Sequence, residues 1–144
     1  MKLSIGSDHA GYSLKTRVIS YLSSREIEIT DVGPSSEDSV DYPDYAHQVA
    51  SQVSKDLSIK GILICGSANG VAMTANKYQE VRACLAWHHE IAELGRLHNN
   101  ANILCLPARF MSEDEALKCV DVFLNASFEG GRHERRVSKI KACI

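Results

Sequence analysis

The stretch Ile62-Leu63-Ile64-Cys65-Gly66-Ser67-Ala68-Asn69-Gly70 decides the fold. Four apolar residues in a row, without alternation, read as a strand buried on both faces. The run then breaks into small, turn-forming residues, and a helical stretch follows to about Lys77. A doubly buried strand that turns directly into a helix is the repeating unit of a parallel sheet covered by helices.

Outward from that stretch the unit recurs. Leu3-Ser4-Ile5-Gly6 reads as a first strand, and Leu14, Val18, Ile19 and Leu22 give the run from Ser13 to Leu22 helical spacing. Glu28 to Val32 reads as a second strand, ended by Gly33-Pro34, and a polar loop from Ser35 to Asp41 follows. Pro43 suits a helix start, with Tyr45, Val49 and Val53 behind it. Arg82 to Trp87 is the fourth strand, and Glu90 to His98 a helix with Ile91 and Leu94 inward. Ile103 to Pro107 is the fifth. Ser112 and Glu115 have the spacing of a capping box, opening a helix that buries Leu117, Val120, Phe123 and Leu124. Glu129-Gly130-Gly131 breaks the chain before a last helix from Arg132 to about Cys143, with Val137 and Ile140 inward. The expectation is an α/β fold: a single Rossmann-like domain over residues 1–144 with a five-stranded parallel sheet, helices on both faces and a C-terminal helix.

Composition narrows the function classes. At 144 residues the chain is one domain's length, and 44% apolar residues supply a core. Sixteen basic against 18 acidic residues remove the electrostatic footprint of a nucleic-acid binder. No apolar run approaches the ~20 residues of a membrane span, and the chain enters a strand at once, leaving no room for a signal peptide. Cys65, Cys84, Cys105, Cys119 and Cys143 are odd in number, scattered and free of any CxxC pair. That usage points to reduced thiols in a cytoplasm and away from structural zinc.

Parallel α/β sheets bind ligands outside the carboxyl ends of their strands. There the sequence sets Asp8-His9-Ala10-Gly11, the loop Cys65 to Gly70, and Arg109. His98-Asn99-Asn100-Ala101-Asn102, at the end of the helix before strand five, is expected to join them at one edge. Taken singly, each is equally well a cap or turn residue. Cys84 and Cys105 read as buried mid-strand residues, whereas Cys65 stands before a helix start, whose dipole is expected to lower its pKa. Gly66 and Gly70 let backbone amides approach an anion, although the loop has neither dinucleotide nor P-loop spacing. Arg132 and Arg136 share a helix face that suits a phosphate, a reading that weighs equally with a solvated stripe. Arg135 lies off that face. His88-His89 has no third ligand at metal spacing and reads as the start of a helix.

Several blocks, in order, carry a family resemblance. They are Gly6-Ser7-Asp8-His9-Ala10-Gly11, Asp41-Tyr42-Pro43-Asp44-Tyr45-Ala46, Cys65-Gly66-Ser67, Ala75-Asn76-Lys77, His98-Asn99 and Phe128-Glu129-Gly130-Gly131-Arg132-His133. The chain resembles the ribose-5-phosphate isomerase B family, in the group that also holds galactose-6-phosphate isomerase subunits. The resemblance implies interconversion of ribose 5-phosphate and ribulose 5-phosphate in the pentose phosphate pathway, with neither metal nor other cofactor. It implies a homodimer or tetramer with shared active sites, a small-molecule sugar phosphate as ligand, and no nucleic acid or membrane partner. It matches Cys65 to the catalytic base, His98 to ring opening, and Asp8 and Asn99 to sugar hydroxyls. His9, Arg109, Arg132 and Arg136 match the phosphate set, and Tyr42 a tyrosine near the ring-opening histidine. Ser67 stands where many cysteine-bearing members have Thr, and Asn100 where Asp is frequent, which removes a charge expected beside His98.

An aldose–ketose isomerase of this kind takes a proton from C2, holds an enediolate and returns the proton at C1. Cys65 is the expected base, tuned by the helix start and the Ser67 hydroxyl, with amides of Gly66, Ala68, Asn69 and Gly70 on the enediolate oxygens. The alternatives are a galactose-6-phosphate or allose-6-phosphate isomerase subunit, or a non-catalytic sugar-phosphate-binding module. A flavodoxin-like carrier is disfavoured by the few aromatics and the small acidic excess.

Overall fold

The computed structural model describes residues 1–142. Five strands, β1 (Lys2–Ser7), β2 (Glu28–Asp31), β3 (Ile59–Cys65), β4 (Ala83–Leu85) and β5 (Ile103–Pro107), form one parallel sheet in the order β2-β1-β3-β5-β4. The helices are α1 (Tyr12–Leu22), α2 (Tyr42–Lys55), α3 (Asn69–Ala75), α4 (His89–Asn99), α5 (Glu113–Asn125) and α6 (Arg132–Val137). The Rossmann-like α/β expectation holds. None of these helices is long and apolar enough to cross a membrane.

The doubly buried strand reading is correct in detail. Ile62 and Ile64 of β3 face a core shared with Val18 and Leu22 of α1 and Val120 and Phe123 of α5. Leu63 and Cys65 face the opposite core, with Val49 and Val53 of α2 and Val71 of α3. Chain order runs from β1 out to β2, then back across to β3 on β1's other side. The sheet therefore has its switch point between the carboxyl ends of β1 and β3, where a crevice opens in such folds.

Three helix readings need correction. Ile91 and Leu94 of α4 are exposed, and Ala92, Gly95 and Arg96 are buried instead. The helix lies so close to β4 that a Cβ at Gly95 would sit 2.7 Å from Cys84 Sγ, so small residues take the inner face. The Ser112–Glu115 capping box forms only by half. Ser112 Oγ accepts from Glu115 N at 3.2 Å, but the Glu115 carboxylate accepts from His89 N (2.7 Å) and bonds His89 Nδ1 (2.8 Å), tying α5 to the start of α4. That confirms His88-His89 as a helix start. The last helix ends at Val137, with Ser138 Oγ donating back to Arg135 O at 2.8 Å and Ile140 exposed; such side-chain bonds compete with helix continuation. Its expected end, Cys143, lies outside the described residues.

Candidate active site

The loops after β1, β3 and β5 are locked together by backbone bonds. Asp8 N donates to Ile64 O (3.1 Å), Ala108 N to Cys65 O (2.9 Å) and Arg109 N to Gly66 O (3.1 Å). Asp8 turns its carboxylate inward, where Oδ1 accepts from Gly11 N at 2.9 Å. Gly11 passes so close to β3 that a Cβ there would collide with the Ile64 carbonyl. Gly70 is similarly constrained, because the Tyr42 ring occupies the space its Cβ would need. Arg109 lays its side chain over Gly66, with Nη1 3.4 Å from where a Cβ would be. His9 Nδ1 accepts from Val40 N at 3.3 Å, which leaves Nε2 as the protonated nitrogen of the neutral ring.

Cys65 ends β3 and is 5% exposed. Its Sγ accepts from Ala68 N at 3.2 Å, and Ala68 adopts a left-handed conformation (φ 62°) to make that approach. The helix start was expected to lower the thiol pKa. Burial instead pushes it up, the Asp8 carboxylate adds to the rise, and the Ala68, Val71 and Ser67 amides offset only part of it. Ser67 acts on the thiol through its backbone. Its hydroxyl is turned to Asn69, accepting from N (3.4 Å) and Nδ2 (3.3 Å), so the expected hydroxyl tuning of Cys65 is not seen. Cys105 is the buried thiol expected, whereas Cys84 is half-buried; desolvation raises Cys84 to about 11 and Cys105 well above the ordinary range.

The expectation that all polar groups meet at one edge fails. Helix α4 runs back along the sheet, so its last turn, with His98 and Asn99, lies beside the amino end of β5. The physical reason is crossover geometry: in a parallel sheet each helix begins at the carboxyl edge and ends at the amino edge. Glu129 N donates to Leu97 O at 3.0 Å, which brings α6 to the same place. The His98 and His133 rings stack there with centroids 4.2 Å apart and planes 12° apart. Arg132 and Arg136 are exposed and make no ion pair among the described residues. Strand β5 alone separates the two edges by roughly 15 Å, more than a five-carbon sugar spans. Within one chain Tyr42 sits against Gly70 of the loop after β3, away from the same chain's His98. Asn100 also differs from expectation: its Oδ1 accepts from Arg96 Nη1 at 2.9 Å.

The sequence reading missed Glu129 and His133 as site residues. Glu129 Oε2 lies 3.4 Å from His133 Nε2 and 3.8 Å from His98 Nε2. The three ligand atoms fall within 4.8 Å of one another. A metal bound by two imidazoles must lie in the plane of both, at about 2.0–2.1 Å. Two planes stacked 12° apart do not meet at such a point. The signal available in sequence was the four-residue interval from Glu129 to His133, which the intervening glycines disguised.

A parallel α/β fold with a thiol and a carboxylate at its switch point, and arginines at both edges, has the groups that proton chemistry on a small anionic metabolite calls for. The chain belongs to the ribose/galactose isomerase family, whose model matches residues 3–140. It is 47% identical over 138 residues to the probable ribose-5-phosphate isomerase B of Mycoplasma genitalium, covering 94% of this chain and 91% of that one. A ribose 5-phosphate isomerase crystal structure from Thermotoga maritima matches with a TM-score of 0.94 and 47% identity, covering 97% of each chain. The crystal structure of ribose-5-phosphate isomerase B from Mycoplasma genitalium with bound ribulose-5-phosphate matches with a TM-score of 0.93 and 45% identity, covering 96% of this chain and 93% of that one.

Proposed function

We propose that this chain interconverts D-ribose 5-phosphate and D-ribulose 5-phosphate through an enediolate, as a cytoplasmic enzyme of the pentose phosphate pathway. The observation that carries the substrate is the ribulose-5-phosphate complex of a relative that matches nearly the whole chain. The working unit is a homodimer in which each site joins the Cys65 edge of one subunit to the His98 edge of the other. The separation of the two edges within one chain supports this, since neither edge holds both a base and a ring-opening group.

At the Cys65 edge, Cys65 as thiolate takes the C2 proton and returns it at C1, while the hydroxyl proton moves from O2 to O1. Of the Gly66–Gly70 loop, the amides of Gly66 and Gly70 face the enediolate oxygens, since those of Ser67 and Ala68 are directed at Sγ and that of Asn69 at the Ser67 hydroxyl. Asp8 holds sugar hydroxyls, and Asn99 of the partner subunit does so from the other side. His9 through Nε2 and Arg109 bind the phosphate together with the partner subunit's Arg132 and Arg136. The partner subunit's His98 opens the furanose.

Purified protein assayed with ribose 5-phosphate and with galactose 6-phosphate, each with a chelator present, tests the reading. Turnover of the pentose phosphate that survives the chelator is expected. Turnover of galactose 6-phosphate alone would assign the chain to the other branch of its family.

A further inference from the structure

We propose that Glu129 is the positioning residue for His98, fixing its imidazole for proton exchange with the sugar ring oxygen; the inference rests on the ring-opening role given to His98 above. Three independent contacts place Glu129 there. Its backbone N–H is bonded to Leu97 O (3.0 Å), one residue before His98. Its Oε2 faces the Nε2 atoms of His98 (3.8 Å) and His133 (3.4 Å). The chain then reverses through Gly130 (φ 67°) and Gly131 (φ 57°), a pair of positive-φ conformations that only glycine adopts freely, and His133 arrives flat against His98.

The arrangement constrains the His98 ring on two sides. The stacked His133, itself buried, blocks rotation out of the ring plane, and the carboxylate stands 3.8 Å from Nε2, within ion-pair reach once the imidazole is protonated, which leaves Nδ1 for the exchange with the sugar. A carboxylate that orients an imidazole and stabilises its transient positive charge is a recurrent catalytic device. The other charged groups on the packed elements do not compete. The Arg96 guanidinium is engaged by Asn100 Oδ1, Ala101 O and Ala126 O. Glu93 of α4 and Arg132, Glu134, Arg135 and Arg136 of α6 form no ion pair with His98, His133 or Glu129 among the described residues.

In ring opening the bond from C1 to the ring oxygen breaks. The ring oxygen gains a proton from His98, the C1 hydroxyl loses one to water, and C1 becomes the aldehyde carbonyl. Net proton count is unchanged, and His98 is reprotonated from solvent. Glu129 touches none of the reacting atoms and acts only through His98.

Ribulose 5-phosphate is open-chain, because its C5 oxygen carries the phosphate. Exchange of its C1 hydrogen in D₂O needs the enediolate step but no ring step. In Glu129→Gln, kcat for ribose 5-phosphate is expected to fall about tenfold or more, with KM within about twofold. Deuterium uptake at C1 of ribulose 5-phosphate, followed by NMR, stays at the wild-type rate. Glu134→Gln, an exposed neighbour on α6, leaves both rates unchanged. Unchanged kcat in Glu129→Gln, a rise in KM alone, or an equal loss in the exchange assay would overturn the assignment. Wild-type protein that exchanges or isomerises neither sugar would overturn the ribose reading itself, and this inference with it.

Discussion

The two edges of the sheet are built by different means. At the carboxyl edge Asp8 and Cys65 are buried, their loops are cross-bonded through the backbone, and Gly11 and Gly70 leave no room for a side chain. At the amino edge Glu129, Arg132 and Arg136 are exposed, and α6 is a six-residue helix reached through two glycines. In the proposed reaction, proton transfer to carbon tolerates little misplacement, and Cys65 and Asp8 stand at rigid strand ends. Phosphate capture tolerates more, and of the arginines proposed for it Arg132 and Arg136 stand on a peripheral helix that presents them outward. An outward-facing half of a site is useful only if another surface closes over it.

The largest expected effect tests that closure. Cys65→Ala should lower kcat by roughly 10²–10⁴-fold and leave the fold intact. His98→Asn should slow the cyclic sugar while sparing C1 exchange in ribulose 5-phosphate. Mixing the two inactive variants after dissociation should restore about a quarter of wild-type activity, because half the dimers of a two-fold assembly are mixed and one of their two sites is whole. Size-exclusion chromatography with a single-chain species and no recovery on mixing would put both edges to work within one subunit and defeat the shared-site reading.

The phosphate set comes next. Arg136→Ala should raise KM for ribose 5-phosphate roughly ten- to a hundred-fold, since hydrogen bonds to charged groups contribute ~1.5–3 kcal/mol each. Arg135 is turned by about 100° of helix rotation from Arg136 and is the control. All three arginines of α6 are exposed, so stability should not change in either variant. Equal kinetic damage from Arg135→Ala would reduce the helix to a charged surface or a subunit contact.

A smaller effect separates the carboxyl edge from its surroundings by pH. Burial and Asp8 raise the Cys65 thiol, so the thiolate fraction climbs with pH beyond neutrality. Steady-state kcat/KM should therefore still be rising between pH 7 and 9, by up to about tenfold per unit. The fold responds in the opposite sense. Cys84 is raised to about 11 and Cys119 to about 12, and a thiol raised by folding stabilises the fold below its unfolded value of about 8.5. That stability is lost as pH rises through the folded values, so thermal midpoints should decline from about pH 9 upward. A flat rate profile over this range would remove Cys65 as the titrating base.

The two edges also differed in how legible they were. Local signals gave the carboxyl edge. An unbroken apolar run names β3, and whatever follows a buried parallel strand must stand at its carboxyl end. The amino edge depends on direction and on tertiary contact. The sequence sets His98 among strand-end residues although a helix end lies at the opposite edge, and the glycines hide the interval from Glu129 to His133. Lys15 was equally invisible. It interrupts no apolar spacing, yet it is fully buried, with Nζ bonded to Asp31 Oδ1 (2.7 Å) and Pro34 O (2.8 Å). Its partners lie at the end of β2 and on the loop after it, and no pattern within α1 announces them.

The smallest effect concerns Asn100, which a sequence reading places beside His98 and the structure turns away from it. Asn100 closes α4 in a left-handed conformation (φ 49°) that Asn and Asp tolerate best after glycine. Its Oδ1 accepts from Arg96 Nη1, and that guanidinium also donates to Ala101 O (2.6 Å) and Ala126 O (3.4 Å) while lying 5.9 Å from the Phe123 ring. Burial depresses the Arg96 pKa, and no carboxylate pairs with it among the described residues. Asn100→Asp would supply one at the same place. Replacing a neutral acceptor by a charged one strengthens the bond by roughly 1 kcal/mol, which in a domain of this size moves Tm up by about 2–4 °C. Asn100→Ala loses the acceptor and strains the turn, so its Tm should fall. Because the new carboxylate faces Arg96, kcat for ribose 5-phosphate should not change in the Asp variant. A changed kcat without a gain in Tm would mean that the residue acts on His98 after all, and that the amino edge is wired through its helix cap as well as through Glu129.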